Sequence, residues 1–264
     1  MLPDISENFI TACRRMDIPP DRLIVTIETY DLRAFPVQGK ISESWVFRND
    51  PTSPIDSRGV SATQLLPDIK PAAAFFVERV LPAAEAFYSS NGRQAVFHLT
   101  PLDGHIKDEL LKRSYALLKD NSVVFGHIDD ITTCADPSVV IYGTPTPEWL
   151  DLYIHLNEKP KEQREQYEGI LNAIPVENQA YAILTSNGHP VACGSAVCDG
   201  SAEKAGIGIY NLTVEKNERQ KHIGSRLVKT LLDWGRNRGA VFAHAQTTPR
   251  NVGSYTLFEK LGMP

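Results

Sequence analysis

Between Tyr210 and Ser225 the chain reads Tyr210-Asn211-Leu212-Thr213-Val214, then a polar stretch from Glu215 to Glu218, then Arg219-Gln220-Lys221-His222-Ile223-Gly224-Ser225. The pattern is a strand, a short basic loop and a helix that begins at a glycine. A helix start leaves backbone N–H groups unpaired and carries partial positive charge. Gly224 lets a ligand come close to the backbone, and Arg219, Lys221 and Arg226 add local charge. This chemistry suits an anion, most naturally a pyrophosphate. The same residues also fit a solvated basic helix start whose glycine serves packing. Taken alone, they do not choose between the two.

Groups able to move a proton are sparse nearby. The segment Ile207 to Val214 carries no Asp or Glu. His244 shares a strand face with Gln246 and reads as a hydrogen-bonded structural histidine. Tyr255 lies three residues before Phe258, on one helix face with it. On these residues alone it reads as a packing aromatic. Cys13, Cys134, Cys193 and Cys198 are scattered, with no CxxC pair and no histidine at metal-ligand spacing. No metal is expected, and reduced thiols in a cytoplasmic protein are. No Walker-type G-x-x-x-x-G-K-[ST] occurs, and Gly206-Ile207-Gly208 precedes its strand, so a nucleotide-binding glycine loop is excluded.

The elements that must position these residues are clearest in the second half. Glu148 to Leu156 and Lys161 to Ala173 read as helices. Ala180 to Leu184 and Val191 to Val197 read as strands joined at Asn187-Gly188, a hairpin signal. Ile207 to Val214 is a third strand. Ile223 to Arg238 is a helix with Ile223, Leu227, Val228, Leu231 and Leu232 on one face, ended by Gly239. Ala240 to Thr247 is a further strand and Asn251 to Leu261 a last helix. A hairpin followed by strand, helix, strand and helix is an α+β layout.

The first half is less regular. Helices are expected at Ile5 to Met16, Ala72 to Ser90 and Ile106 to Leu118, with Pro82 kinking or splitting the second. Strands are expected at Leu23 to Thr29, Trp45 to Arg48, Val60 to Leu66, Gln94 to Leu99, Ser122 to Ile128 and Ser138 to Tyr142. Gly143-Thr144-Pro145-Thr146-Pro147 reads as a linker, which places a domain boundary between residues 145 and 146.

The whole chain has 264 residues, enough for two ordinary domains. Its 27 Lys and Arg against 32 Asp and Glu leave a charge of −5. That balance provides no global attraction for nucleic acid or an anionic membrane, so neither is an expected partner. No run of about 18 to 20 apolar residues suits a membrane helix, and the acidic start, with Asp4 and Glu7, does not read as a signal peptide.

Arg-x-x-x-x-Gly after a strand resembles the Q/R-x-x-G-x-G/A signature of the GNAT acetyltransferase superfamily. Asn251-Val252-Gly253-Ser254-Tyr255-Thr256-Leu257-Phe258-Glu259-Lys260-Leu261-Gly262-Met263 is similar to that family's N-x-x-A-x-x-L-Y-x-K-x-G-F helix. Gly188-His189-Pro190-Val191-Ala192-Cys193-Gly194 resembles its hairpin turn G-x-x-V-A-x-G. The resemblance implies a mostly antiparallel sheet flanked by helices and acetyl-coenzyme A as co-substrate. It implies that the backbone of Leu212, Thr213 and Val214 pairs with the pantetheine arm. Arg219, Gln220, Lys221, His222, Ile223, Gly224 and Ser225 would hold the pyrophosphate, largely through backbone N–H groups. Asn251, Ser254, Tyr255 and Phe258 would flank the coenzyme's other side. Phe258 stands where many members place an acid tyrosine, which leaves Tyr255 as the candidate acid. His222 stands where the signature has its first glycine. Members usually continue into two more strands beside the one matching Ala240 to Thr247, so either the sequence is cut short or the sheet ends early with an open edge there, which would invite pairing with another chain or domain.

Trp45-Val46-Phe47-Arg48, Arg58 with Ser61, Phe97-His98-Leu99-Thr100-Pro101 and Leu110 to Tyr115 are similar to a bacterial GNAT subgroup in which a degenerate GNAT-like domain precedes the active one. That resemblance implies an N-terminal half without coenzyme that walls the acceptor cleft, with Trp45, Arg58 and Trp149 as cleft candidates, although ordinary core burial is the expected state of the two tryptophans. The implied activity is transfer of an acetyl group to a primary amine of a small molecule or peptide. The alternative is a coenzyme-binding or interaction protein of the same fold with impaired turnover.

Overall fold

The computed structural model describes residues 5–19, 23, 39–40, 45–47, 63–65, 73–90, 92, 94–101, 103–117, 122–172, 176–198, 205–248 and 250–263. The chain divides into two compact units, Met1–Lys119 and Asp120–Pro264.

In the first unit a helix, α1, spans Ile5–Arg15. Short strands β1 (Gly39–Lys40), β2 (Trp45–Phe47), β3 (Thr63–Leu65) and β4 (Phe97–His98) form a sheet in that order, antiparallel except for β3 with β4. Helix α2 is Leu81–Ser90 and α3 is Gly104–Lys112. The expected break at Pro82 takes a particular form. Ala73–Phe75 is α-helical and Phe76–Val80 is π-helical, with the N–H of Leu81 donating to the Phe76 carbonyl. A proline ring clashes with the carbonyl four residues back, and a widened turn removes that clash without ending the helix. Phe76, Val80, Leu81, Ile106 and Leu110 make this unit's core, with Phe97 edge-on to Phe76 at 5.3 Å. The expected strand at Leu23 to Thr29 lies outside the described residues apart from Leu23, which is helical.

The second unit carries the larger sheet. Its strands are β5 (Ser122–His127), β6 (Val139–Tyr142), β7 (Gln179–Ser186), β8 (His189–Cys198), β9 (Ala205–Val214) and β10 (Ala240–Thr247). They lie in the order β5-β10-β9-β8-β7-β6. Only β9 and β10 run parallel. Helices α4 (Pro147–Leu156) and α5 (Arg164–Asn172) precede β7, α6 (Ile223–Arg236) joins β9 to β10, and α7 (Val252–Lys260) follows. The β7–β8 turn places Asn187 and Gly188 at φ 51° and 81°, both in the left-handed region a two-residue hairpin loop requires.

The unit boundary differs from the linker reading. Residues 143–147 do not separate domains. Thr146 caps α4, accepting from the Trp149 N–H at 3.2 Å, and Pro147 occupies the first turn, where its missing N–H costs nothing. The upstream strands β5 and β6 both belong to the second sheet, so the division falls between Lys119 and Asp120.

The edge expected to be open at Ala240 to Thr247 is taken by β5. It pairs antiparallel along all of its length, from Phe242 opposite His127 to Thr247 opposite Ser122. The chain thus satisfies the edge hydrogen bonds of β10 with a strand that comes before the sheet's hairpin in sequence.

Helices α6 and α7 share one face of this sheet. Ile223, Leu227, Val228, Leu231 and Leu232 of α6, and Phe258 of α7, are buried with Ile207, Ile209, Ala243 and Ala245. The turn after α7 closes on β5, where Gly126 approaches the Gly262 carbonyl so tightly that an added Cβ would sit 2.5 Å from that oxygen. On the opposite face, Trp149 of α4 stacks on Tyr153 and meets Tyr181 edge-on.

The residue run from 128 to 138 straps α6 from outside. Arg226 forms a two-pronged bridge to Asp136, with Nε 2.6 Å from Oδ2 and Nη2 3.1 Å from Oδ1. Nη2 also donates to Ser138 Oγ, and Arg236 reaches Asp129, Thr133 and the Ile128 carbonyl. The Arg226 guanidinium, with help from Ser138, holds the Asp136 carboxyl far below the ordinary carboxylate range.

Candidate functional site

The site begins with a defect in the sheet. Between Cys193 opposite Thr213 and Ser195 opposite Tyr210, β8 supplies one residue, Gly194, while β9 supplies Asn211 and Leu212. This is a β-bulge, and Asn211 absorbs it at φ 53°. Asparagine tolerates the left-handed region better than most residues because its short amide can bond locally. Here Asn211 Nδ2 donates to Ser195 Oγ at 2.9 Å. The Gly194 carbonyl receives the indole N–H of Trp149 at 3.1 Å.

The bulge has a consequence on the other edge of β9. Its parallel pairing with β10 runs from Ala205 only to Ile209, opposite Ala245. Both strands continue, β9 to Val214 and β10 to Thr247, but apart. The backbone of Leu212, Thr213 and Val214 therefore presents a strand edge to a wedge between two parallel strands. An extended chain of alternating donors and acceptors would fit there as an added strand. The position is held from the other side. Asn157, at the end of α4, donates to Thr213 Oγ1 at 3.1 Å and to the Tyr153 carbonyl.

At the wide end of the wedge lies the basic loop. Arg219 turns back so that Nε donates to the Val214 carbonyl at 3.1 Å, closing the strand. Gln220 and His222 take φ 62° and 61°, and α6 starts at Ile223 with no side-chain cap. Left-handed residues interleaved in a turn make successive N–H groups converge into a concave anion-binding nest. Among the described residues, no backbone carbonyl or side chain accepts from the amides of residues 220–225. The first helical bond of this turn is from Arg226 to the His222 carbonyl. Gln220, Lys221 and His222 are exposed. A Cβ on Gly224 would meet only Leu257 and Val214, at 3.5 and 3.6 Å. Those are ordinary contacts, so the protein's own packing does not demand glycine there.

The charges fall differently from the linear reading. Arg226 faces the strap and is committed to Asp136, so it adds nothing to the loop. Lys221 bridges Glu218 at 3.0 Å, and Lys216 bridges Glu158. Among the described residues, no carboxylate pairs with Arg219, which leaves it as the loop's available cation.

Helix α7 forms the far wall. Asn251 is its N-cap, its Oδ1 accepting from the Ser254 N–H at 3.2 Å. That assigns its side chain a local structural role that the linear pattern did not show. Tyr255 is 39% exposed whereas Phe258 is 2% exposed and sits in the core. The two are neighbours on the helix but do not share a surface. Phe258 packs among apolar side chains instead of flanking the wedge. Trp149 is fully buried and hydrogen-bonded, so it is core and not cleft. Arg58 and the Trp45 side chain lie outside the described residues.

Of the remaining titratable groups, Cys193 is opposite Thr213 and buried, and burial pushes its thiol up to about 12. It stays protonated at neutral pH and is a poor nucleophile. His244 is fully buried, with the Tyr210 ring edge-on at 5.9 Å. The four cysteines are free. Among the described residues, no group of three or more His, Cys, Asp and Glu could hold a metal, and no helix is long and apolar enough to cross a membrane.

Two features escaped the linear reading. The bulge at Asn211 had a signal, a polar residue inside an apolar strand. The β5–β10 pairing had none, since β5 lies far upstream.

Comparison with known proteins agrees with this architecture. Over 184 residues the chain is 23% identical to an uncharacterized N-acetyltransferase, YobR, of Bacillus subtilis (strain 168), covering 68% of this chain and 72% of that protein. A GCN5-related N-acetyltransferase from Kribbella flavida superimposes with a TM-score of 0.66 over 92% of this chain and 91% of its own, at 12% identity. That likeness is one of fold. The model of a family described as "Probable histone acetyltransferase Rv0428c C-terminal" matches residues 26–264, so the chain belongs to that family and is an acetyltransferase of the GNAT type.

Proposed function

We propose that this protein transfers an acetyl group from acetyl-coenzyme A to a primary amine, carried by a small molecule or a peptide. The observation that supports this most is the pairing of a bulge-opened strand edge at Leu212–Val214 with amides at residues 220–225 that have no acceptor among the described residues. The pantetheine arm would run along that edge as an added strand. The diphosphate would sit on the amides of Gln220 to Ser225, beside Arg219. The thioester would lie toward the apex of the wedge, near Ile209 and Ala245.

In this reading a deprotonated amine nitrogen attacks the thioester carbonyl carbon directly. The N–C bond forms, the C–S bond breaks, and sulfur leaves as the coenzyme thiolate. Backbone N–H groups at the bulge would stabilise the developing oxyanion. Direct attack suits the inert Cys193 better than an acyl-enzyme route does. Tyr255, exposed on α7, is retained as a candidate donor. The four free thiols fit a cytoplasmic setting.

Thermal shift with acetyl-coenzyme A tests binding, because a ligand that prefers the native state raises its melting temperature. Release of free coenzyme thiol across a panel of amines then tests turnover. No stabilisation would exclude the reading. One observation favours a second reading, a coenzyme binder with impaired turnover. Phe258, where relatives place a tyrosine acid, is sealed in the core. Stabilisation without thiol release on any amine would select it.

A further inference from the structure

Thr247 ends β10 in an unusual state. The residue is 7% exposed, and its Oγ1 is sealed from solvent and has no hydrogen-bond partner among the described residues. A buried hydroxyl left unpaired costs about 1 to 3 kcal/mol. Native chains rarely retain such a group without a use for it.

Its position gives that use. Ala243 and Ala245 of β10 are buried with the α6 and α7 residues Leu227 and Phe258. Side chains two apart on a strand share a face, so Thr247 is on the α6–α7 face as well. Pairing between β9 and β10 stops at Ala245, two residues earlier, while pairing with β5 continues through Thr247 opposite Ser122. The backbone of Thr247 thus lies on the β10 wall of the wedge, about 7 Å beyond the apex at a strand's rise per residue, with its covered hydroxyl beside that wall. The diphosphate loop is at the opposite, wide end, past Val214. The group nearest Thr247 in a ligand that fills the wedge is therefore the one at its leading tip. Asn251, four residues on, is committed to capping α7, and Phe258 has no hydroxyl.

We infer that Thr247 is a catalytic residue whose hydroxyl donates a hydrogen bond to the sulfur of the bound acyl thioester. The inference rests on the proposed coenzyme site. As the amine nitrogen bonds to the carbonyl carbon and the C–S bond breaks, the electron pair goes to sulfur. Thr247 keeps its proton and stabilises the leaving thiolate through that bond. The proton lost from nitrogen passes to water, from which the thiolate is later protonated. The hydroxyl takes the place of the phenol that Phe258 lacks.

The test uses the full-length protein with Thr247→Val, which keeps the shape and removes the hydroxyl, and Thr247→Ser, which keeps the hydroxyl. The melting temperature of Thr247→Val should equal or exceed that of the wild type, since an unpaired buried group is removed. Calorimetry then compares coenzyme A with desulfo-coenzyme A, in which hydrogen replaces the thiol. Thr247→Val should weaken coenzyme A binding about fivefold relative to the desulfo compound, and Thr247→Ser should restore the ratio. With a responsive amine, kcat should fall about tenfold or more while KM for acetyl-coenzyme A changes little. An unchanged ratio of the two affinities, in a wild type that does bind coenzyme A, overturns the role of Thr247 alone. A wild type that binds neither compound overturns the coenzyme site and this inference together.

Discussion

At His222 the chain places a side chain where left-handed backbone favours glycine. A non-glycine residue there carries strain of about 1 to 2 kcal/mol, and its imidazole adds bulk at the mouth of the amide nest. His222→Gly is expected to raise thermal stability by up to about 1 kcal/mol, after the entropy cost of glycine. It should also tighten binding of acetyl-coenzyme A, measured by calorimetry; looser binding would mean the imidazole itself holds phosphate. Gly224 makes the opposite case. The protein has room for a Cβ there, so Gly224→Ala should keep or slightly raise the melting temperature, by up to about 1 kcal/mol in helix propensity. Coenzyme affinity should nevertheless fall about tenfold, because the methyl occupies the approach to the backbone. Loss of stability together with affinity would return this glycine to a packing role. Both residues were legible as a motif in the sequence. The commitment of Arg226 to Asp136 was not, because the partner is 90 positions away in the chain.

Among the elements, β5 and the strap that follows it carry the tightest constraints. Gly126 touches the Gly262 carbonyl, so Gly126→Ala must displace either β5 or the turn after α7. A loss of about 1 to 3 kcal/mol is expected, measured by chemical denaturation. The Asp136–Arg226 bridge makes a pH prediction. The folded carboxyl titrates below its unfolded value, so its contribution is complete above about pH 4. It is lost as pH falls further, toward the folded value. Arg226 is 42% exposed, which limits the bridge to about 1 kcal/mol after solvent screening. The stability gap between wild type and Asp136→Asn should stay constant from pH 8 to 5 and close below about pH 4. A gap that persists into strong acid would assign the loss to packing instead of charge. The strands and helices of the second unit were legible from period and turn chemistry. The bulge was legible only as an unexplained Asn211, since its geometry depends on what β8 places opposite.

Considered whole, the molecule shows why a linear boundary can fail. The proline-rich run at 143–147 looked like punctuation between domains, and it is punctuation between a strand and a capped helix inside one unit. A chain starting at residue 146 would lose β5 and β6, uncovering both outer edges of a four-stranded remainder. It is expected to aggregate and to melt without a cooperative transition, while one starting at residue 120 keeps all six strands and melts cooperatively by circular dichroism. Equal behaviour of the two fragments would show that β5 adds no stability to the sheet.

The local chemistry of the second half was determined by the sequence alone. Apolar residues at helical spacing made α6, Asn187-Gly188 made the hairpin, and a strand, basic loop and glycine-started helix marked a candidate anion site. These follow from backbone preferences and periodicities that span a few residues. Tertiary structure decided what depends on residues distant in the chain. It chose which strand closes the edge of β10, which arginine faces the loop and which turns away, and how far β9 and β10 part. It also left the Thr247 hydroxyl buried without a partner among the described residues, because a side chain's partners are set by what packs against it and not by its neighbours in sequence.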